Sequence, residues 1–175
     1  LVKVRTEMGL TNVIPMIPFC RTIAEAELVL EIMAKHGLAT RLLAKNKKKA
    51  TPVYMMCEIP SNVILDEEFL DLFDGMSIGS NDLTQLTRGL DRDSSLIAHV
   101  GNENNPAVYR LLAQVIAEAK RQKKKIGICG QGPSDYPQLA RFLVKQGINA
   151  ISVNPDTVLK TTLDLVKAEV RRKGR

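Results

Sequence analysis

The sequence predicts an α/β fold: a parallel sheet of about five strands, each followed by a helix. Three observations carry that expectation. The apolar runs at 12–19, 53–59, 76–78, 126–129 and 150–153 are short and nearly continuous, the pattern of strands covered on both faces. Segments with helical spacing lie between them. Three successive runs also end on chemistry-bearing residues: Glu58, then Gly79-Ser80-Asn81-Asp82, then Cys129 between Gly127 and Gly130. Two architectures fit. Five units suit an open doubly wound sheet, whereas functional groups at successive strand ends suit a (β/α)8 barrel. Neither Gly-x-Gly-x-x-Gly nor a phosphate loop ending in Gly-Lys-Ser/Thr occurs.

The elements follow in order. Asn12 to Phe19 is a first strand, and Pro15 and Pro18 suit a strand end or bulge. Thr22 to Met33 has helical spacing, with Ile23, Ala26, Leu30 and Met33 on one side and Glu25, Glu27 and Glu31 toward water. Thr22 and Glu25 fit a capping box, and Gly37 a C-terminal stop. Ala39 to Pro52 is basic and without a clear period. Val53 to Glu58 is the second strand, Asp66 to Phe73 a short helix, and Asp74 to Gly79 the third strand. Asp82 to Thr87 can form a helical turn within a long connection reaching Asn105. Pro106 suits the first position of a helix running to about Lys123, with Val108, Leu111, Leu112, Val115 and Ile116 as its apolar side. Ile126 to Cys129 is the fourth strand, Tyr136 to Gln146 a helix stopped by Gly147, and Ala150 to Val153 the fifth strand. Asn154 as N-cap and Pro155 then open a last helix to about Glu169.

Composition bounds the function classes. The 175 residues make one domain able to bury a core, and charged residues are 25% of the chain. No apolar run reaches the roughly 18 residues of a membrane span. The net charge of +6 sits largely in Lys45 with Lys47 to Lys49, in Lys120 to Lys125, and in Arg171 to Arg175. Only 4% of residues are aromatic and none interleave with these runs, so solvated loops and helix ends are expected, with no nucleic acid and no membrane partner. Cys20, Cys57 and Cys129 are odd in number and embedded in apolar runs, as thiols of a cytoplasmic protein are. The opening Leu1-Val2-Lys3-Val4-Arg5 has no initiator Met and no signal-peptide core, which reads as a portion of something longer.

Long motifs choose between the two architectures. Pro18-Phe19-Cys20-Arg21-Thr22, Met56-Cys57-Glu58-Ile59-Pro60-Ser61-Asn62, Ser77 through Gln85, Gly89-Leu90-Asp91-Arg92-Asp93, Gly127-Ile128-Cys129-Gly130-Gln131 and Asn154-Pro155-Asp156 occur in this order. Together they resemble the C-terminal part of the phosphoenolpyruvate synthase family, which includes pyruvate phosphate dikinase and enzyme I of the sugar phosphotransferase system. The resemblance covers nearly the whole chain. It implies that residues 1–175 are the C-terminal portion, about five β/α units, of a TIM-type (β/α)8 barrel that binds phosphoenolpyruvate or pyruvate. The early strands, the nucleotide-binding domain and the phosphohistidine domain would lie outside it.

The resemblance also implies roles. Glu58 and Asp82 match magnesium ligands, with Mn2+ as a possible substitute, and oxygen-only ligands suit such a hard cation. Adjacent parallel strands lie about 4.8 Å apart, so carboxylates at neighbouring strand ends can share one ion. Gly79, Ser80 and Asn81, with the two carboxylates, match positions that hold phosphoenolpyruvate or pyruvate. Cys129 matches the proton donor, and a thiol can carry a proton near neutral pH. Cys20 and Cys57 read as packing, Arg21 as an organiser of the first loop and not a ligand, and neither His36 nor His99 as a phosphocarrier.

The implied activity is that of the parent: pyruvate, ATP and water to phosphoenolpyruvate, AMP and phosphate, with the isolated piece inactive. A non-catalytic self-associating module and a pyruvate-handling carbon–carbon lyase on a related barrel are the alternatives. Five of eight strands cannot close, so an open side lined by residues such as Met56, Ile78 and Ile128 predicts a homo-oligomer.

Overall fold

A computed structural model describes residues 1–91, 97 and 101–173, and the side chains at 168 and from 170 onward fall outside that description. Arg92 and Asp93 of the fourth motif, His99, and Gly174 and Arg175 of the basic tail also lie outside the described residues. Five strands form one parallel sheet: β1 (Met16–Ile17), β2 (Tyr54–Cys57), β3 (Gly75–Gly79), β4 (Lys125–Cys129) and β5 (Ala150–Ile151). Their spatial order is their sequence order. A doubly wound sheet reverses direction at a switch point, whereas one arc of a barrel does not. The chain is therefore part of a (β/α) barrel.

The register sorts the side chains into two faces. Met55, Met76 and Ile126 are paired across the sheet, as are Cys57, Ile78 and Ile128, and all six are buried. They meet the helices α2 (Ile23–Lys35), α4 (Asp66–Leu72), α6 (Pro106–Arg121) and α8 (Pro137–Gln146), whose Leu30, Phe69, Leu112 and Leu139 join the same core. The rows between them hold Tyr54, Met56, Ser77, Gly127 and Cys129, which are half-buried. Two expectations change here. The strands are covered by helices on one face, not both, and Ile78 and Ile128 belong to that covered face while Met56 lies on the open one. Side chains alternate along a strand, so Met76-Ser77-Ile78 sends its serine, not its isoleucine, to the open side.

Local chemistry sets the helix ends. The Thr22 hydroxyl accepts the Glu25 N–H at 3.1 Å, and the Glu25 carboxylate accepts the N–H of Arg21 at 2.7 Å, a capping box displaced by one residue. Asn105 accepts the Ala107 N–H at 2.9 Å, so α6 begins at Pro106 as expected. Gly147, at φ 84°, closes α8.

Other boundaries differ from the expectation. β1 keeps only two residues, between Pro15 and Pro18, and β5 also keeps two. Ser80–Arg88 is a full helix, α5, which starts at the serine and not at Asp82. Short helices α1 (Val2–Thr6), α3 (Pro60–Ile64) and α7 (Gly132–Asp135) have no counterpart in the periodicity. Asn154 makes no side-chain cap: Pro155–Thr157 is a single 3-10 turn before α9 (Val158–Lys173), and the Asn154 N–H donates to the Ser134 hydroxyl at 2.9 Å.

Part of the basic excess is used structurally. Lys124 donates to the Phe73 carbonyl at 2.7 Å, and Arg121 pairs with both Glu118 and Glu67. Among the described residues no helix is long and apolar enough to cross a membrane.

Candidate active site

Parallel pairing brings the C-terminal ends of β2, β3 and β4 to one edge, and each delivers a predicted residue there. Glu58 follows β2 directly and is buried, with 5% of its surface exposed. Three neighbours fix it. The Phe19 N–H donates to Oε1 at 2.9 Å. Its side chain lies over Gly79, where a Cβ atom would stand 2.8 Å from Glu58 Cβ and Oε2. Its own N–H donates to Asn62 Oδ1 at 3.3 Å. Asn62 also accepts the Ile59 N–H at 3.1 Å and donates to the Cys20 carbonyl at 2.8 Å, tying the ends of β1 and β2 together. Phe19 adopts φ 56°, a left-handed conformation that bulky residues rarely take. The Arg21 guanidinium sits 5.4 Å from the Phe19 ring centroid, consistent with an organising role for Arg21.

At the end of β3, Ser80, Asn81 and Asp82 form the first turn of α5. The free backbone N–H groups and positive dipole end of that turn favour an anion. Ser80 is buried, and its hydroxyl donates to the Cys129 carbonyl at 3.1 Å. Asn81 and Asp82 are half-buried, and Asn81 Oδ1 accepts the Gln131 N–H at 3.5 Å. At the end of β4, the half-buried Cys129 sulfur receives the Ser77 hydroxyl at 3.5 Å and lies 3.5 Å from the Ile78 carbonyl. Gly130 has φ 118°, and a side chain there would collide with the Ser80 hydroxyl.

Charge is uncomfortable in this cluster. Burial pushes the Glu58 carboxyl above its ordinary range and the charge of Asp82 adds to the rise, while the Phe19 N–H pulls the other way. Burial also raises the thiols of Cys57 and Cys20, and both are buried, which fits packing roles. Among the described residues no group of three or more His, Cys, Asp and Glu is placed to hold a metal. The pair Glu58 and Asp82 is instead a partial oxygen set, of the kind a hard cation completes with substrate oxygens and water.

All six predicted residues thus reach one edge, and His36 is exposed beyond α2. The sequence reading missed the linking role of Asn62, the strained Phe19 and a buried carboxylate, Glu103. Asn62 had a signal, since an Asn two residues past a Pro at a strand end is placed to take up free N–H groups. Glu103 had none, because the connection carrying it shows no period.

The chain matches the family described as PEP-utilising enzyme, PEP-binding domain, over residues 1–170. It is 60% identical over 169 residues to the phosphoenolpyruvate synthase of Synechocystis sp., covering 97% of this chain and 20% of that protein. The Aquifex aeolicus enzyme of the same name is 54% identical, covering 97% and 19%, and the Escherichia coli one 51%, covering 94% and 20%. The chain therefore spans about one fifth of the length of these relatives. Among solved structures, an HpcH/HpaI aldolase/citrate lyase family protein from Burkholderia cenocepacia superposes with TM-score 0.60 at 19% identity, over 98% of this chain and 69% of that one. An HpcH/HpaI aldolase from Desulfitobacterium hafniense gives 0.56 at 16%, over 88% and 62%. These structural likenesses show the barrel fold. The chain belongs to the PEP-utilising enzyme family.

Because the fold raises the Glu58 pKa, the folded chain holds that proton more tightly than the unfolded chain. The stability this contributes is complete below the unfolded carboxylate range and is lost as pH rises through the folded value. Glu58→Gln keeps an oxygen for the Phe19 N–H and removes the buried charge. It should melt about 2–4 °C above the unmutated chain at neutral pH, with the gain vanishing near about pH 4. Thermal melts across pH check this, and equal midpoints at neutral pH would contradict it.

Proposed function

We propose that this chain, as a member of that family, is the substrate- and Mg2+-binding C-terminal part of a cytoplasmic phosphoenolpyruvate synthase, which converts pyruvate, ATP and water to phosphoenolpyruvate, AMP and phosphate. The observation that supports this most strongly is the convergence of Glu58, Asp82 and Cys129 from three successive strand ends, with Ser80 and Asn81 between them. Pyruvate is an anion. The first turn of α5, opened by Ser80 and Asn81, offers hydrogen-bond donors for its carboxylate.

The residues divide the chemistry. Cys129, as thiolate, takes a proton from the pyruvate methyl group: the C–H bond breaks, S–H forms, and the electron pair passes through a new C=C bond to the carbonyl oxygen. That oxygen then takes the phosphoryl group from a phosphohistidine outside this chain, as the N–P bond breaks. In reverse, Cys129 returns the proton. A divalent cation held by Glu58 and Asp82, Mg2+ or Mn2+, would supply positive charge beside the enolate oxygen. The cation also fits the electrostatics, since burial disfavours Glu58 as an anion and the charge of Asp82 adds to that. Lyase chemistry has less support: the two aldolase and lyase likenesses above are of fold at 16–19% identity, whereas the three synthase relatives above match at 51–60%.

The open side is the other consequence. Met16 and Phe19 are exposed at the β1 end, and apart from that side Leu159, Leu163 and Val166 are exposed along α9, which packs against α8. Apolar surface of this kind favours association. A second copy, or the remaining domains of the parent, is the expected partner.

Cys129→Ala in the full-length parent should abolish hydrogen exchange at the pyruvate methyl, read by NMR in deuterated water, while phosphorylation of the parent's histidine from ATP continues. Normal methyl exchange in that variant would remove Cys129 from the reaction. The chain alone should run as a dimer or larger species in light scattering at micromolar concentration, and a compact monomer that binds no hydrophobic dye would rule out the association.

A further inference from the structure

Glu103 is a buried carboxylate that the proposed chemistry does not use. It lies in the connection leading to α6, with 7% of its surface exposed, and among the described residues its buried Oε2 has no hydrogen-bond partner of ordinary geometry. The backbone around it is anchored. The Asn105 N–H donates to the Glu103 carbonyl at 2.8 Å, and the Tyr109 hydroxyl donates to Asn104 Oδ1 at 2.7 Å. Its carboxyl group presses against Gly132, where any Cβ would collide with Oε2. The same carboxyl meets the Ser80 side chain, and the Ser80 hydroxyl in turn donates to the Cys129 carbonyl. Glu103 therefore meets both loops of the site: the one that opens α5 and the one that carries Cys129.

We propose that Glu103 is a positioning residue, a wedge between Ser80 and Gly132 that sets the spacing between the substrate-binding turn and the turn carrying Cys129. Burial raises its carboxyl pKa, and Asp135 adds to the rise against the pull of Ser80 and the Gly132 N–H. The Ser80 hydroxyl, which touches this carboxyl, also reaches the Cys129 carbonyl, so one side chain joins Glu103 to the Cys129 turn. Without the wedge, Ser80 and the glycine turn lose their common support, and the Cys129 turn opens more often. The catalytic meaning rests on the role proposed for Cys129, but the wedge itself can be tested without it.

Cys20 and Cys57 are buried while Cys129 is half-buried, so alkylation of Cys129 by iodoacetamide reports the position of its turn. Peptide mass mapping on the folded chain gives the rate, with circular dichroism as the check on folding. Glu103→Ala should raise the Cys129 rate about tenfold, and Glu103→Gln, of the same shape and able to donate to Ser80, should hold it within about twofold of the unmutated chain. A Glu103→Ala rate equal to the unmutated one overturns the proposal. So does a Glu103→Gln rate as high as that of Glu103→Ala, which would make the effect one of charge and not of shape. If Glu103→Ala does not fold, Glu103→Asp, which withdraws the carboxyl by one methylene, replaces it under the same criteria. Failure of pyruvate exchange to depend on Cys129 would end the catalytic reading and leave this result intact.

Discussion

The site depends on close approach between neighbouring strand ends, and glycine makes that approach possible. Gly79 lies beneath the Glu58 side chain, Gly130 beside the Ser80 hydroxyl, and Gly132 against the Glu103 carboxyl. At each, a Cβ atom would occupy space already taken by a polar group of the adjacent element. Gly130 also needs its φ of 118°, which other residues resist. The interlock buries carboxylates against backbone, and the raised pKa values of Glu58 and Glu103 are the electrostatic consequence. A buried carboxylate beside a second one is relieved by a proton or by a cation. Under the proposed function, the cation is what the arrangement is built to receive.

Much of this was legible in the sequence, and the limits have physical causes. Strand positions followed from apolar runs, and α6 and α8 from helical period with Pro106 and Gly147 as punctuation. The convergence of Glu58, Asp82 and Cys129 followed from parallel pairing, because each lies at or just past its strand's end. Which face of the sheet was covered was not legible. A run such as Ile126-Gly127-Ile128 looks uniformly apolar, yet its glycine faces the open side and its isoleucines face the helices. Short helices of four or five residues, α1, α3 and α7, carry too few turns to show a period. Glu103 turned inward because of contacts made by residues far away in sequence, which no local pattern encodes.

The architecture also explains why one fifth of a relative's length can hold so recognisable a site. Strand order without reversal makes each β/α unit a neighbour of the next, so successive strand ends share a boundary even when the barrel is not complete. The covered face, with Phe69, Leu112 and Ile128 fully buried or nearly so, supplies a core independent of the open side. Under the proposed function, catalysis also draws on a phosphohistidine outside this chain. In the proposed function the chain contributes metal, substrate and proton handling, and the rest of the parent brings the phosphoryl group.

The central claim is that the three strand ends make one site for a divalent cation and pyruvate. Mn2+ titration in the presence of pyruvate, followed by amide NMR, tests it most directly, because paramagnetic broadening falls steeply with distance from the ion. The account predicts that the amides of Glu58, Gly79 to Asp82 and Cys129 to Gln131 broaden first and together, while those of α9 and the C-terminal half of α2 stay sharp. Broadening centred elsewhere, such as on the exposed Glu7 or Glu31, with the three strand ends unaffected, would contradict it.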